Sequence, residues 1–178
     1  MLRPLILELL QEIAELQQRL KQIEHLLSDL THEDPVVHEL LKIPGIGLLS
    51  ATALRGALSS VQRFPSGRHF ASWLGVTARE HSSGERRRLG AISKRGDVYL
   101  RTLLIHGARS VLQAAKQSVQ AGRSLDRLRT WALDTERRCG HNKAIVALAN
   151  KMARIIWATW KHQRSYDGNW QLRSSAQG

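Results

Sequence analysis

Apolar residues recur over the first 30 positions with alternating spacings of four and three: Leu2, Ile6, Leu9, Ile13, Leu16, Leu20, Ile23, Leu27 and Leu30. This spacing keeps one stripe of a winding helix apolar and is the seam of a left-handed coiled coil. Four unbroken heptads predict a helix that pairs with another, in the same chain or in a second copy. Leu10 and Leu26 widen the apolar face, so a long amphipathic helix packed on a body satisfies the same pattern. Thr31-His32-Glu33-Asp34-Pro35 breaks the repeat and reads as one helix ending and the next beginning. A coiled-coil helix over 1–34 is therefore the first unit.

Beyond it the pattern changes to short apolar stretches cut by glycine and proline. Residues 36–43 read as a helix, Pro44-Gly45-Ile46-Gly47 as a tight turn, and 48–58, rich in small apolar residues, as a buried helix. His69 to Leu74 reads as a short helix with Gly75 at its C-terminal cap. Residues 76–96 are polar, basic and punctuated by glycine, a loop or irregular hairpin; strand-like stretches are limited to the surroundings of Val76 and to Leu89-Ile92. Long helices follow at Asp97–Gln120, Ser124 to about Arg138 and Asn142 to about Gln163. The last carries Ile145, Leu148, Ala149, Met152, Ile155, Ile156 and Trp160 on one face. No internal repeat is visible. The expected architecture is all-α or nearly so, with a compact helical domain over 35–165 and a flexible tail over 166–178.

Charge narrows the class of partner. The 178 residues hold 27 Lys and Arg against 15 Asp and Glu, a net charge of +12. The first 34 residues are acidic, with three bases against seven acids, so the positive field belongs to the remainder. Such an excess points to a polyanion, nucleic acid or an acidic membrane surface. No apolar run reaches the length of a membrane span, which argues against a membrane protein. The apolar but acid-studded N-terminus lacks the basic start of a signal peptide. Cys139 is the only cysteine, so no internal disulfide forms, and a bacterial cytosolic location is expected.

Two segments suggest how a polyanion would be held. Ile43-Pro44-Gly45-Ile46-Gly47 between two short helices has the form of a helix-hairpin-helix. Its glycines permit the turn and a close backbone approach to phosphate, and free N–H groups after Gly47 open the second helix. Such a motif grips the DNA backbone without reading sequence. The same residues also suit a glycine-bounded turn between core helices. The second segment runs from Arg79 to Arg101. Six bases fall within the 17 residues from Arg79 to Arg95: Arg79, Arg86, Arg87, Arg88, Lys94 and Arg95. Arg101 lies one turn into the next helix and extends that basic surface. Ser83, before Gly84, presents a hydroxyl at a turn, with Ser82 beside it. A hydroxyl attacking phosphate needs cations to steady the developing charge and a group to take its proton. The arginines offer the first, and His81 or Glu80 the second. On residue types alone, a solvated basic loop that holds phosphate and performs no chemistry is the better reading.

From about Leu40 to Trp160 the chain resembles the C-terminal domain of the DEDD-type, Piv-like insertion-sequence transposases, a group that includes RNA-guided recombinases. The resemblance rests on four stretches: Ile43 to Gly47; Arg63-Phe64 with Phe70-Ala71-Ser72-Trp73-Leu74-Gly75-Val76-Thr77-Ala78-Arg79-Glu80; Ser82-Ser83-Gly84 with Arg88 to Asp97; and Asn142 to Arg154. It implies that the serine of the Ser-Gly step, Ser83 with Ser82 as fallback, becomes covalently joined to DNA. It also implies a RuvC-like domain whose four acidic residues hold Mg²⁺, joined through a coiled coil whose place residues 2–30 occupy. That acidic tetrad is absent from this sequence, so the chain itself is expected to bind no metal and to depend on such a domain for cleavage. Glu85 departs from the small residue common there. A guide RNA is a further partner implied by the resemblance, alongside DNA and a second copy of the chain.

Other residues carry less. The eight histidines, among them His38, His69, His106, His141 and His162, show no zinc spacing. Trp73, Trp131, Trp157, Trp160 and Trp170 read as packing residues, not as a base-stacking platform. The sequence thus predicts a transposase or site-specific recombinase fragment acting through a phosphoserine. The alternative is a non-catalytic DNA-binding and dimerisation module; a basic structural protein of an RNA–protein particle ranks behind both.

Overall fold

The computed structural model describes residues 2–80 and 89–168. The elements, in order, are α1 (Leu2–Thr31), α2 (Pro35–Leu41), α3 (Leu48–Ala57), a 3-10 turn (Val61–Arg63), α4 (Gly67–Trp73), β1 (Ala78–Glu80), β2 (Leu89–Ile92), α5 (Val98–Gln120), α6 (Arg127–Cys139) and α7 (His141–His162). The fold is nearly all-α, a long first helix followed by a compact helical body. The two strands form one antiparallel hairpin, with Ala78 opposite Ile92 and Glu80 opposite Leu89, and an irregularity between the two pairs.

α7 organises the body. It packs against α2, α4, α5 and α6. Its inward stripe, Ile145, Leu148, Ala149, Met152, Ala153 and Ile156, is buried to within 2% exposure. Each large side chain there contributes roughly 1.5–3 kcal/mol of burial. The stripe has the 3.6-residue period visible in the sequence, so this helix was legible there. Trp160 is buried as expected, and Trp73, Trp131 and Trp157 lie partly buried against the core.

α1 is one uninterrupted helix, and its seam from Leu2 to Ile23 is exposed among the described residues. Leu9, Ile13, Leu16 and Leu20 stay 51%, 49%, 53% and 58% exposed. The helix meets the body through α3. Leu27 and Thr31 are its half-buried positions.

The junction after α1 follows from Asp34. Its carboxylate accepts from the amides of Val36 and Val37, capping α2, with Pro35 preset for the first helical position. The second oxygen takes Arg55 Nε at 2.7 Å, which ties α2 to α3. Desolvation works against the charged carboxylate, but the Arg55 hydrogen bond and the two amides outweigh it, and the pKa lies below its ordinary value.

The chain then reverses through Ile43-Pro44-Gly45-Ile46. Ile46 N–H donates to the Ile43 carbonyl at 3.0 Å. Proline in the second position and glycine at φ +82° in the third are what a type II turn requires. Ile43 and Ile46 are buried on either side. A Cβ on Gly45 would lie 2.6 Å from the Gly107 carbonyl oxygen and 2.7 Å from Val111 Cγ2. The turn is therefore seated backbone-to-backbone on the middle of α5.

Three details depart from the sequence reading. Val76 is not in a strand: its N–H donates to the Ala71 carbonyl while Gly75 N–H donates to Ser72, so the pair closes α4 as a Schellman cap with Gly75 at φ +72°. α4 begins two residues earlier than expected, at Gly67, whose missing side chain leaves room for the backbone of Arg154 on α7. α6 begins at Arg127 and not at Ser124, because Asp126 caps it through the Arg129 amide. Beyond α7, Tyr166 packs against the core and the Gly168 carbonyl accepts from Arg127 N–H.

Gly45→Ala and Gly107→Ala are each expected to cost at least about 2 kcal/mol in urea denaturation, from positive-φ strain in the first and backbone overlap in both. Gly47→Ala, where a Cβ meets nothing within 4 Å, should cost less than about 1 kcal/mol. Asp34→Ala should lose about 1–2 kcal/mol at pH 7. Because the folded-state pKa of Asp34 is lowered, its contribution is present above the unfolded value near 4 and disappears as pH falls through the folded one. Thermal melts of Asp34→Ala and the parent chain should therefore converge as the pH is taken down through and below about 4.

Candidate nucleic-acid interface

The two glycines of the turn have different surroundings. Gly45 is half-buried and its bareness is accounted for by Gly107. Gly47 is exposed, with extended backbone at φ −96° and ψ 178°, and it caps α3 without a side-chain bond. The first-turn amides of α3 thus open outward beside Gly47, where the helix dipole favours an anion.

The second segment is built on another glycine pair. Gly96 presses on the last turn of α4: a Cβ there would overlap the Trp73 carbonyl and come within 3.0 Å of Gly75 N. A Cβ on Gly75 would in turn meet Arg95 N at 3.1 Å. Ser93 N–H donates to Thr77 at 2.8 Å and Lys94 N–H to Gly75 at 3.2 Å. Lys94 takes up φ 55°, a left-handed conformation that is uncommon outside glycine, asparagine and aspartate. The chain then enters α5, where the Asp97 carboxylate caps the Leu100 amide.

Two of the expected phosphate-binding arginines also hold this backbone. Arg101 Nη1 donates to the carbonyls of Lys94 and Gly96, both at 3.3 Å. Arg79 Nη2 donates to the Ser93 carbonyl at 3.2 Å. These bonds use part of each guanidinium fork and leave other N–H groups for an anion. Lys94 and Arg95 are exposed beside them. Arg79, Lys94, Arg95 and Arg101 are thereby gathered at one end of the body, at the base of the β-hairpin. Ser82, Ser83, Arg86, Arg87 and Arg88 lie outside the described residues, as do His81 and Glu85.

Sequence reasoning missed the supports. Asn150 Nδ2 on α7 donates to the Val76 carbonyl at 3.2 Å, fixing the approach to β1. Trp157 Nε1 donates to the Phe64 carbonyl at 3.1 Å. Arg63 stacks over Phe64 and Trp73, 4.8 and 5.1 Å from the ring centres. Arg63, Phe64, Trp73 and Asn150 all stand within the quoted resemblance stretches, but no local spacing ties one to another. The Ser93 hydroxyl is buried without a hydrogen-bond partner among the described residues.

No group of three or more His, Cys, Asp or Glu suited to a metal is found among the described residues. No described helix is long and apolar enough to cross a membrane.

A family model described as "Transposase IS116/IS110/IS902 family" matches residues 37–122. That stretch runs from α2 through the glycine turn, the β-hairpin and all of α5. A probable family 20 transposase of Pseudomonas aeruginosa is 41% identical over 162 residues, covering 91% of this chain and 46% of its own length. The transposase for insertion sequence element IS1111A of Coxiella burnetii is 42% identical over 124 residues, covering 70% of this chain and 32% of its own length. A putative transposase of Sinorhizobium fredii is 37% identical over 156 residues, 88% of this chain and 39% of its own. The chain spans less than half the length of these relatives. Over most of its length the chain is therefore similar to transposases, and over residues 37–122 to those of the IS116/IS110/IS902 family.

Proposed function

We propose that this chain is the DNA-holding part of a transposase or site-specific recombinase, and that Ser83, with Ser82 as its neighbour and fallback, is the nucleophile. The observation that carries the DNA-holding role is the rigid basic base of the β-hairpin. Arg79, Lys94, Arg95 and Arg101 are gathered there by backbone bonds, inside the stretch that the transposase family model matches. A phosphate backbone is the ligand such a cluster suits. The serines stand between the two strands in sequence.

In this reading the serine oxygen attacks a phosphodiester phosphorus. A P–O bond to serine forms, one DNA hydroxyl leaves, and the serine proton passes to a nearby base. Attack by another DNA hydroxyl on the phosphoserine reverses the step and completes strand transfer. Arg86, Arg87 and Arg88, together with Lys94 and Arg95, steady the charge on phosphorus. Mg²⁺ would be held by the carboxylates of a RuvC-like domain that joins this chain in the working assembly. Gly47 and the α3 amides supply a sequence-independent backbone contact, and Gly45 seats that turn. The exposed seam of α1 pairs with α1 of a second copy as a coiled coil. DNA is the substrate, a guide RNA is a partner that the same cationic surface accommodates, and the site of action is the bacterial cytosol.

A covalent-trapping assay tests the chemistry. The chain is incubated with labelled element-end DNA, Mg²⁺, a supplied RuvC-like domain and candidate RNA, and resolved on denaturing gels. A protein–DNA adduct is expected, lost in Ser83→Ala and kept in Ser82→Ala. Salt-sensitive DNA binding with no adduct under any condition would favour the non-catalytic DNA-binding and dimerisation module. The pairing of α1 is read separately, by light scattering. The parent chain should be oligomeric and Ile13→Lys with Leu16→Lys monomeric. The melting temperature of the body should stay within about 2 °C, since half-exposed side chains contribute little to the fold.

A further inference from the structure

The side of α7 that meets α6 carries a second basic surface. A groove of about 1080 Å³ runs between α6 and α7 and the stretch after α7. Four strong bases line it, Arg127, Lys151, Arg154 and Arg164, against one acid, Asp167. Lys151 is its centre. Its ammonium lies 4.4 Å from the ring centre of Trp131 on α6, and it has no ion pair among the described residues. Burial and then the like charges of Arg154 and Arg127 lower its pKa. Cations are therefore crowded and partly desolvated at a place where the fold supplies no anion for the central one. Such crowding is unfavourable alone and is relieved by an external anion. Tyr166, also lining the groove, has its pKa pushed up to about 12, first by burial and then by Asp126. Its hydroxyl therefore stays protonated and can donate to a phosphate oxygen.

We propose that the α6–α7 groove is a second binding site for a nucleic-acid phosphodiester backbone, with Lys151 and Arg154 as its central contacts. The length suits this ligand better than a single small anion. From Lys151 to His162 the lining runs about 16 Å along α7. One strand of a duplex carries a phosphate about every 3.4 Å of axis, so several fit along the groove. The site is separate from the hairpin base and does not depend on serine chemistry. It implies that the body holds nucleic acid at two places at once.

Equilibrium binding of the full chain to a labelled 30-base-pair duplex, measured across a salt series, tests the site. The double variant Lys151→Gln with Arg154→Gln should weaken binding at least about tenfold and lower the slope of log K against log salt by about one per lost contact. Lys151→Arg, which keeps the charge and covers Trp131, should bind within about twofold of the parent. Circular dichroism melts establish that each variant is folded. A parallel series with Lys94→Gln and Arg95→Gln reports the hairpin base alone. If the groove variant binds as the parent while the hairpin variant is weakened, the groove proposal is overturned and the hairpin reading stands. The reverse pattern supports the groove and counts against the hairpin. A loss seen only with an RNA hairpin probe supports the groove and assigns it to RNA. Equal losses in Lys151→Arg and Lys151→Gln would mean that packing on Trp131 and not charge is at stake, and would overturn the proposal.

Discussion

The body depends on a contact between two backbones. Gly45 at the α2–α3 turn and Gly107 in the middle of α5 lie so close that neither has room for a methyl group. Glycine in a helix interior costs about 1 kcal/mol in propensity, so its place in α5 is a local sacrifice. What it secures is the seating of the α2–α3 turn, which closes one side of the core through Ile43 and Ile46. A comparable approach of Gly96 to the end of α4 seats the β-hairpin. Both segments singled out for phosphate binding are therefore anchored by main chain packed on main chain. That anchoring is stiff, which suits positioning a polymer backbone to within a hydrogen bond's tolerance.

Much of this was legible in the sequence, for an identifiable reason. The α1 seam, the α7 stripe and the span of α5 repeat at helical periods over twenty or more residues, and length averages out local ambiguity. The Pro-Gly turn was legible because proline and glycine each fix a backbone angle. Val76 misled because a buried β-branched residue after a glycine looks like the start of a strand. Here its N–H is spent on closing α4. The starts of α4 and α6 were missed because they are decided by a partner 87 residues away at Arg154 and by which aspartate or serine wins the cap.

The site was legible only by composition. A count of bases marked the Arg79–Arg101 stretch, but it could not show that Arg79 and Arg101 spend donors on the Ser93, Lys94 and Gly96 carbonyls. Those two arginines build the platform as well as charge it. Lys94 and Arg95 are exposed on it. The groove beside Lys151 left no local signal at all, because Arg127, Trp131, Lys151 and Arg154 come from two helices whose facing sides are fixed only by tertiary packing.

The exposed seam of α1 has one more consequence. A helix gains most of its stability from the surface it covers. Among the described residues α1 packs on α3, and its distal seam residues from Leu2 to Ile23 are exposed. At 30 residues it is a rod of about 45 Å when fully wound. If pairing supplies the missing support, winding and assembly are a single event. The abundance of the protein then sets how firmly its arm is wound.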